Sequence, residues 1–105
     1  MKKNQPGVVL RFQPKPGKGD ELFQLCTDLH YTGDPDGPVD WVSSRDNDNP
    51  DVMWAFEFYR DEESFNRHYT NPVLDDGHQR VLDLLAEEEG LDPSQRVDVR
   101  IVSSS

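Results

Sequence analysis

The chain has 105 residues, with 11 basic against 21 acidic side chains and a net charge of −10 at pH 7. At roughly 100–200 residues per domain, residues 1–105 make a single domain. A pI near 4.5 and the lack of any Lys/Arg cluster exclude phosphate-led binding of nucleic acid and attraction to anionic membranes.

The longest unbroken apolar run is Val52 to Phe56, far short of the ~20 residues that span a bilayer. Met1-Lys2-Lys3 leads into Asn4-Gln5-Pro6 rather than an apolar core, so no signal peptide is expected. Cys26 is the single cysteine and has no internal disulfide partner, which points to a cytoplasmic protein. Hydrophobic residues make up 33% of the chain, a lean supply for a core, and burial against a partner subunit would supplement it.

Val8 to Phe12 reads as a first strand, between Pro6-Gly7 and Pro14-Lys15-Pro16-Gly17. Leu22, Leu25, Cys26 and Leu29 then repeat on one face of a helix from Gly19 to Tyr31. Asp20 and Glu21 suit its N-terminus. Gly33 to Pro38 forms a loop. Val39 to Ser44 alternates as a second strand, and Arg45 to Asp51 is a turn rich in residues that bond their own backbone. Val52 to Tyr59 is the strongest strand signal, and the two strands around the turn predict a hairpin.

Asp61 is a predicted N-cap for a short helix through His68. Asn71-Pro72 opens the next helix, where Leu74, His78, Val81, Leu82 and Leu85 share a face and Gly90 is the stop. Val97, Val99 and Ile101 alternate in a last strand. Residues 1–6 and 103–105 are expected to fray. The fold class is therefore α+β: a ferredoxin-like β-α-β-β-α-α-β order with a four-stranded antiparallel sheet. Val52, Trp54, Phe56 and Phe58 fill one face of the third strand, and Met53, Ala55 and Tyr59 join Glu57 on the other. A strand apolar on both faces needs both covered, and the helices can cover only one. A second subunit is the expected cover, in a homodimer.

Three stretches resemble a known family: Lys15-Pro16-Gly17-Lys18, Glu57-Phe58-Tyr59-Arg60-Asp61-Glu62-Glu63-Ser64-Phe65, and His68-Tyr69-Thr70-Asn71-Pro72. Together they resemble the antibiotic biosynthesis monooxygenases, which implies a dimeric α/β-barrel. Where the family often has Trp after the strand, this chain has Tyr59. The resemblance implies a monooxygenase that oxidises a small aromatic or phenolic substrate with O2, without a cofactor. It also admits a non-catalytic, small-molecule-binding or stress-associated dimer, or haem degradation. The haem-degrading branch places an Asn, a Trp and a ligand His at positions that fall on Leu10, His68 and His78, and only His78 matches.

His68 matches the His of the quinone-forming branch. It is the candidate general base, against the plain reading of a His suited to a helix C-terminus. Tyr59 is a second candidate catalytic group. Trp41, Glu57, Asn71 and His78 are candidate substrate-binding residues. His78 can equally be a core or interface histidine. Glu57 interrupts an apolar strand and must be paired, bonded or protonated, with Arg11 and Arg100 as candidate partners. Cys26 reads as a small core hydrophobe. His30, His68 and His78 have no zinc spacing, and no dinucleotide fingerprint is present, so no metal and no cofactor is expected.

Overall fold

The structure, a computed structural model, describes residues 1–31 and 33–105. Its strands are β1 (Pro6–Phe12), β2 (Asp40–Arg45), β3 (Met53–Phe58) and β4 (Ser94–Arg100). Its helices are α1 (Gly19–Leu29), α2 (Glu62–Thr70) and α3 (Asp75–Leu84), with a 3₁₀ turn at Pro72–Leu74. The strands form one antiparallel sheet in the order β2-β3-β1-β4. The predicted α+β, ferredoxin-like class is what the chain adopts.

The register sorts the side chains by face. Val8, Leu10 and Phe12 pair with Glu57, Ala55 and Met53, so these six share the face toward the helices. Leu22 and Cys26 of α1, Val81 of α3 and Leu85 pack against Met53 and Ala55 to make the core. On the opposite face Val42, Phe56, Val9 and Val97 stand in one row across all four strands.

Local chemistry explains the element ends. Asp61 accepts from the Ser64 backbone N–H at 2.8 Å while the Ser64 hydroxyl accepts from the Asp61 N–H at 3.2 Å, closing a capping box on α2. Asn71 Oδ1 accepts from the Val73 N–H at 3.1 Å and caps the segment that Pro72 opens, as predicted, but that first turn is 3₁₀ and α3 begins only at Asp75. Helix α3, by contrast, ends at Leu84 instead of running to Gly90. The Leu84 carbonyl accepts from the Lys15 N–H at 2.8 Å, and the Ala86 N–H donates to the Gln13 carbonyl at 3.0 Å. Leu85 is thereby drawn into a β-bridge with Pro14 and goes extended. Gly77 lets α3 approach α1: a Cβ there would stand 2.5 Å from Leu29 Cδ2. Among the described residues no helix is long and apolar enough to cross a membrane.

Candidate active site

Helices α1, α2 and α3 do not seal the inner face of the sheet. They leave a cavity of about 490 Å³. That volume lies within the range of small-molecule sites. Leu10, Phe12, Met53, Ala55, Leu74 and Val81 supply its apolar walls. Into it come polar groups from four separate segments: His30, Asp34, Glu57 and His68.

His68 stands in the last turn of α2, and its Nδ1 lies 2.8 Å from Asp34 Oδ2. Both side chains are largely buried. The other Asp34 oxygen accepts from the Asp36 N–H at 2.9 Å, which holds the loop in shape. The neighbouring Arg67 grips Asp36 with two nitrogens, at 3.0 and 2.9 Å. That guanidinium holds the Asp36 carboxyl below its usual range. Consecutive residues of α2 thus bind two acids of one loop. A carboxylate only accepts, so in the neutral His68 ring Asp34 places the hydrogen on Nδ1 and the lone pair on Nε2. Among the described residues Nε2 has no hydrogen-bond partner.

A second histidine, which sequence reasoning did not single out as a site residue, completes the arrangement. His30 follows α1, and its Nδ1 lies 2.7 Å from the Cys26 carbonyl. Its Nε2 lies 2.6 Å from Glu57 Oε2. The side chains are 8% and 11% exposed. The carbonyl requires hydrogen on Nδ1. The Nε2–Oε2 gap then holds one proton, as imidazolium against carboxylate or imidazole against carboxylic acid. Burial alone would lower the His30 pKa. The hydrogen bond and charge of Glu57, with the Cys26 carbonyl, outweigh it and raise the pKa above its usual value.

This pairing corrects the expected partners of Glu57. Arg11 pairs in register with Trp54 on the opposite face, its guanidinium 5.8 Å from that ring. Arg100 binds Glu62 at 2.8 Å and the Asn4 carbonyl at 3.0 Å. The sequence does carry a signal for His30, since Leu22, Cys26 and His30 recur every fourth residue along one helix face. Asp34 carries none.

The remaining candidates divide. Asn71 and His78 line the cavity, Asn71 half-buried and His78 exposed at the rim. Trp41 lies outside the lining, with its ring stacked on His30 at 3.9 Å and 18°. Tyr59 is also outside it, fully buried behind His68 with ring centroids 5.1 Å apart. Its hydroxyl lies 3.4 Å from that of Tyr69, and burial together with the Glu57 charge pushes its pKa far above the usual phenol range. Cys26 is buried, and burial followed by the Glu57 charge pushes its thiol up to about 12. That leaves it a packing residue as expected. Ser43 lines the cavity with a buried hydroxyl that has no hydrogen-bond partner among the described residues. Leu10 stands in the apolar wall and has no side-chain hydrogen bond to give. Among the described residues no three His, Cys, Asp or Glu side chains are grouped to hold a metal ion.

A family model described as "Antibiotic biosynthesis monooxygenase" matches residues 7–80. Among solved structures, the fold is similar to a mutant form of SnoaB, a cofactor-independent oxygenase from Streptomyces nogalater. The TM-score is 0.76 at 16% identity, over 96% of each chain. It is similar to a conserved protein from Methanosarcina mazei Go1, with TM-score 0.73 at 22% identity, over 93% of each chain. Rv0793 from Mycobacterium tuberculosis gives 0.73 at 19% identity, over 95% of this chain and 97% of that one. No curated protein matches the sequence.

Proposed function

The chain belongs to the antibiotic biosynthesis monooxygenase family, and we propose on that premise that it is a cofactor-independent monooxygenase of a small aromatic, phenolic substrate. The observation that carries this reading is the His68–Asp34 pair on the cavity, with Nδ1 bound at 2.8 Å and Nε2 left as the basic atom. An imidazole ring with one nitrogen held by a carboxylate and the other turned to the cavity is suited to proton transfer. His68 takes a proton from a phenol or from an enolisable carbon, and the anion left behind is electron-rich enough to react with O2. One oxygen atom replaces two hydrogens on carbon as a carbonyl, and the other leaves as water. The apolar walls hold a planar substrate and keep bulk water from the anion.

The active form in this reading is a homodimer in the cytoplasm. The row Val42, Phe56, Val9 and Val97 supports the dimer: Val42 is 59% exposed, Phe56 39% and Val97 60%. An apolar row of that width, central on a sheet face, is what a second copy of the same face would cover.

Anthrone is a suitable first substrate. Oxygen uptake matched one-to-one by quinone absorbance, and lost in His68→Ala, is the expected result. Binding of anthrone with no oxygen uptake would replace this reading with that of a small-molecule-binding dimer.

A further inference from the structure

Of the three histidines that line the cavity, two are tied to carboxylates, but through opposite ring nitrogens. Asp34 binds the Nδ1 of His68 and leaves Nε2 bare, which is the form of a base. His30 has its Nδ1 committed to the Cys26 carbonyl, and its 2.6 Å contact to Glu57 holds a proton. That is the form of an acid. His68 comes from α2, whereas His30 follows α1 and Glu57 is on β3, so the base and the acid approach a ligand from different elements. Trp41, stacked at 3.9 Å, fixes the plane of the His30 ring.

We propose that the His30–Glu57 pair is the cavity's acid, delivering its shared proton to a carbonyl oxygen of the substrate while His68 removes a proton from carbon. The substrate class is then narrower than phenols: a ketone with an acidic C–H conjugated to its carbonyl. In the step, the C–H bond breaks and its proton goes to Nε2 of His68. The electron pair becomes a C=C bond, and the carbonyl π pair takes the proton from the His30–Glu57 gap to form O–H. His68 is left as imidazolium, and the pair one proton poorer. The reverse step restores both, so the protein interconverts keto and enol forms with no oxidant.

The acidity suits the step. A proton passes most readily between groups of similar pKa, and an enol of phenol-like acidity lies near 10. The upward displacement of His30 moves it toward that value. The unpartnered Ser43 hydroxyl in the same cavity is a further donor for a substrate oxygen. This proposal rests on the cavity being the site of the proposed oxygenase reaction, but its chemistry needs no oxygen.

The test is deuterium exchange at the acidic C–H of anthrone in D2O, followed by NMR in the absence of O2. The native protein is expected to accelerate exchange over buffer. Glu57→Gln and His30→Gln, which keep polar groups of similar size, should each lower the enzymatic rate by about 10²–10⁴-fold. Equal rates in these folded variants, or no acceleration by the native protein, would overturn the proposal. Should both variants fail to fold, the native protein still decides it. A proton shared across 2.6 Å gives a far-downfield NMR signal, which should move when a hydroxylated anthraquinone binds. A signal that binding leaves in place would overturn the proposal. Oxygen uptake is a separate readout: exchange without uptake sinks the oxygenase reading alone, and uptake with exchange indifferent to the pair sinks this one alone.

Discussion

Asp34 Oδ2 receives His68 Nδ1 at 2.8 Å across 34 residues of chain, while its Oδ1 receives the Asp36 N–H at 2.9 Å. Both oxygens are in use, and both face donors. Asn at this position has one acceptor atom and one NH2 group, so it can satisfy the loop or the histidine but not both. Asp34→Asn is therefore expected to leave the fold in place and free the His68 ring to rotate or change tautomer. With anthrone, kcat should fall about 10²-fold, the lower end of a positioned proton transfer. Steady-state kinetics beside a thermal melt checks this. An unchanged kcat in a folded Asp34→Asn protein removes the pair from the mechanism.

His68→Ala probes the base itself. The His68 side chain is 16% exposed and covers Asp34, which is 6% exposed. Its removal leaves a largely buried carboxylate oxygen unpaired, at a cost of about 1–3 kcal/mol. Loss of a general base is worth about 10²–10⁴ in kcat, or roughly 3–5 kcal/mol of barrier. Activity should thus suffer more than stability, as urea titration and kinetics on one preparation would show. The reverse order would make His68 a structural residue.

The sheet was legible because alternation is a local signal. From Met53 to Phe58 the apolar positions alternate between the two faces as the register requires. The caps at Asp61 and Asn71 were legible for the same reason, since their partners lie two and three residues away. The site was legible only in part. Glu57 was conspicuous as a lone carboxylate in an apolar strand, but its partner is 27 residues distant and joins it only once α1 packs on the sheet. Asp34 sits in a Pro- and Gly-rich loop with no periodicity to mark it. The sequence offers Tyr59 as a catalytic group and Trp41 as a substrate-binding one, since a phenol can move a proton and an aromatic ring can line a pocket. Yet the same chemistry suits the layer behind it, where each supports a histidine. The stop of α3 was missed because a tertiary bridge, Pro14 to Leu85, overrides the helical pattern.

The raised pKa of His30 gives stability a pH dependence of definite sign. The folded protein holds the proton of the His30–Glu57 pair more tightly than the unfolded chain does. That contribution is fully present below the unfolded value near 6.5 and is lost as pH rises through the higher folded value. Urea midpoints should therefore decline from pH 6 upward. In His30→Gln, which cannot titrate, this decline should be absent. A native protein with a flat profile over this range, or a variant with the same slope, would show that the proton in the pair does not stabilise the fold.

The outer sheet face gives the last test. Phe56 stands in the middle of the row, with Val42 on one side and Val9 then Val97 on the other. In the isolated chain it is 39% exposed. A second copy laid on this face would bury it, and a charge there would then be desolvated without a partner. Phe56→Lys should consequently convert a dimer into a folded monomer, because Lys on a solvated strand surface costs little by itself. Val73, 70% exposed on the 3₁₀ turn, lies outside the sheet, and Val73→Lys should leave assembly untouched. Sedimentation equilibrium at micromolar concentration reads this directly. The native chain and Val73→Lys should give twice 12.1 kDa, and Phe56→Lys the single-chain mass. A native protein that sediments as a well-folded monomer would mean that this apolar row stays exposed to water, and the homodimer would have to be abandoned.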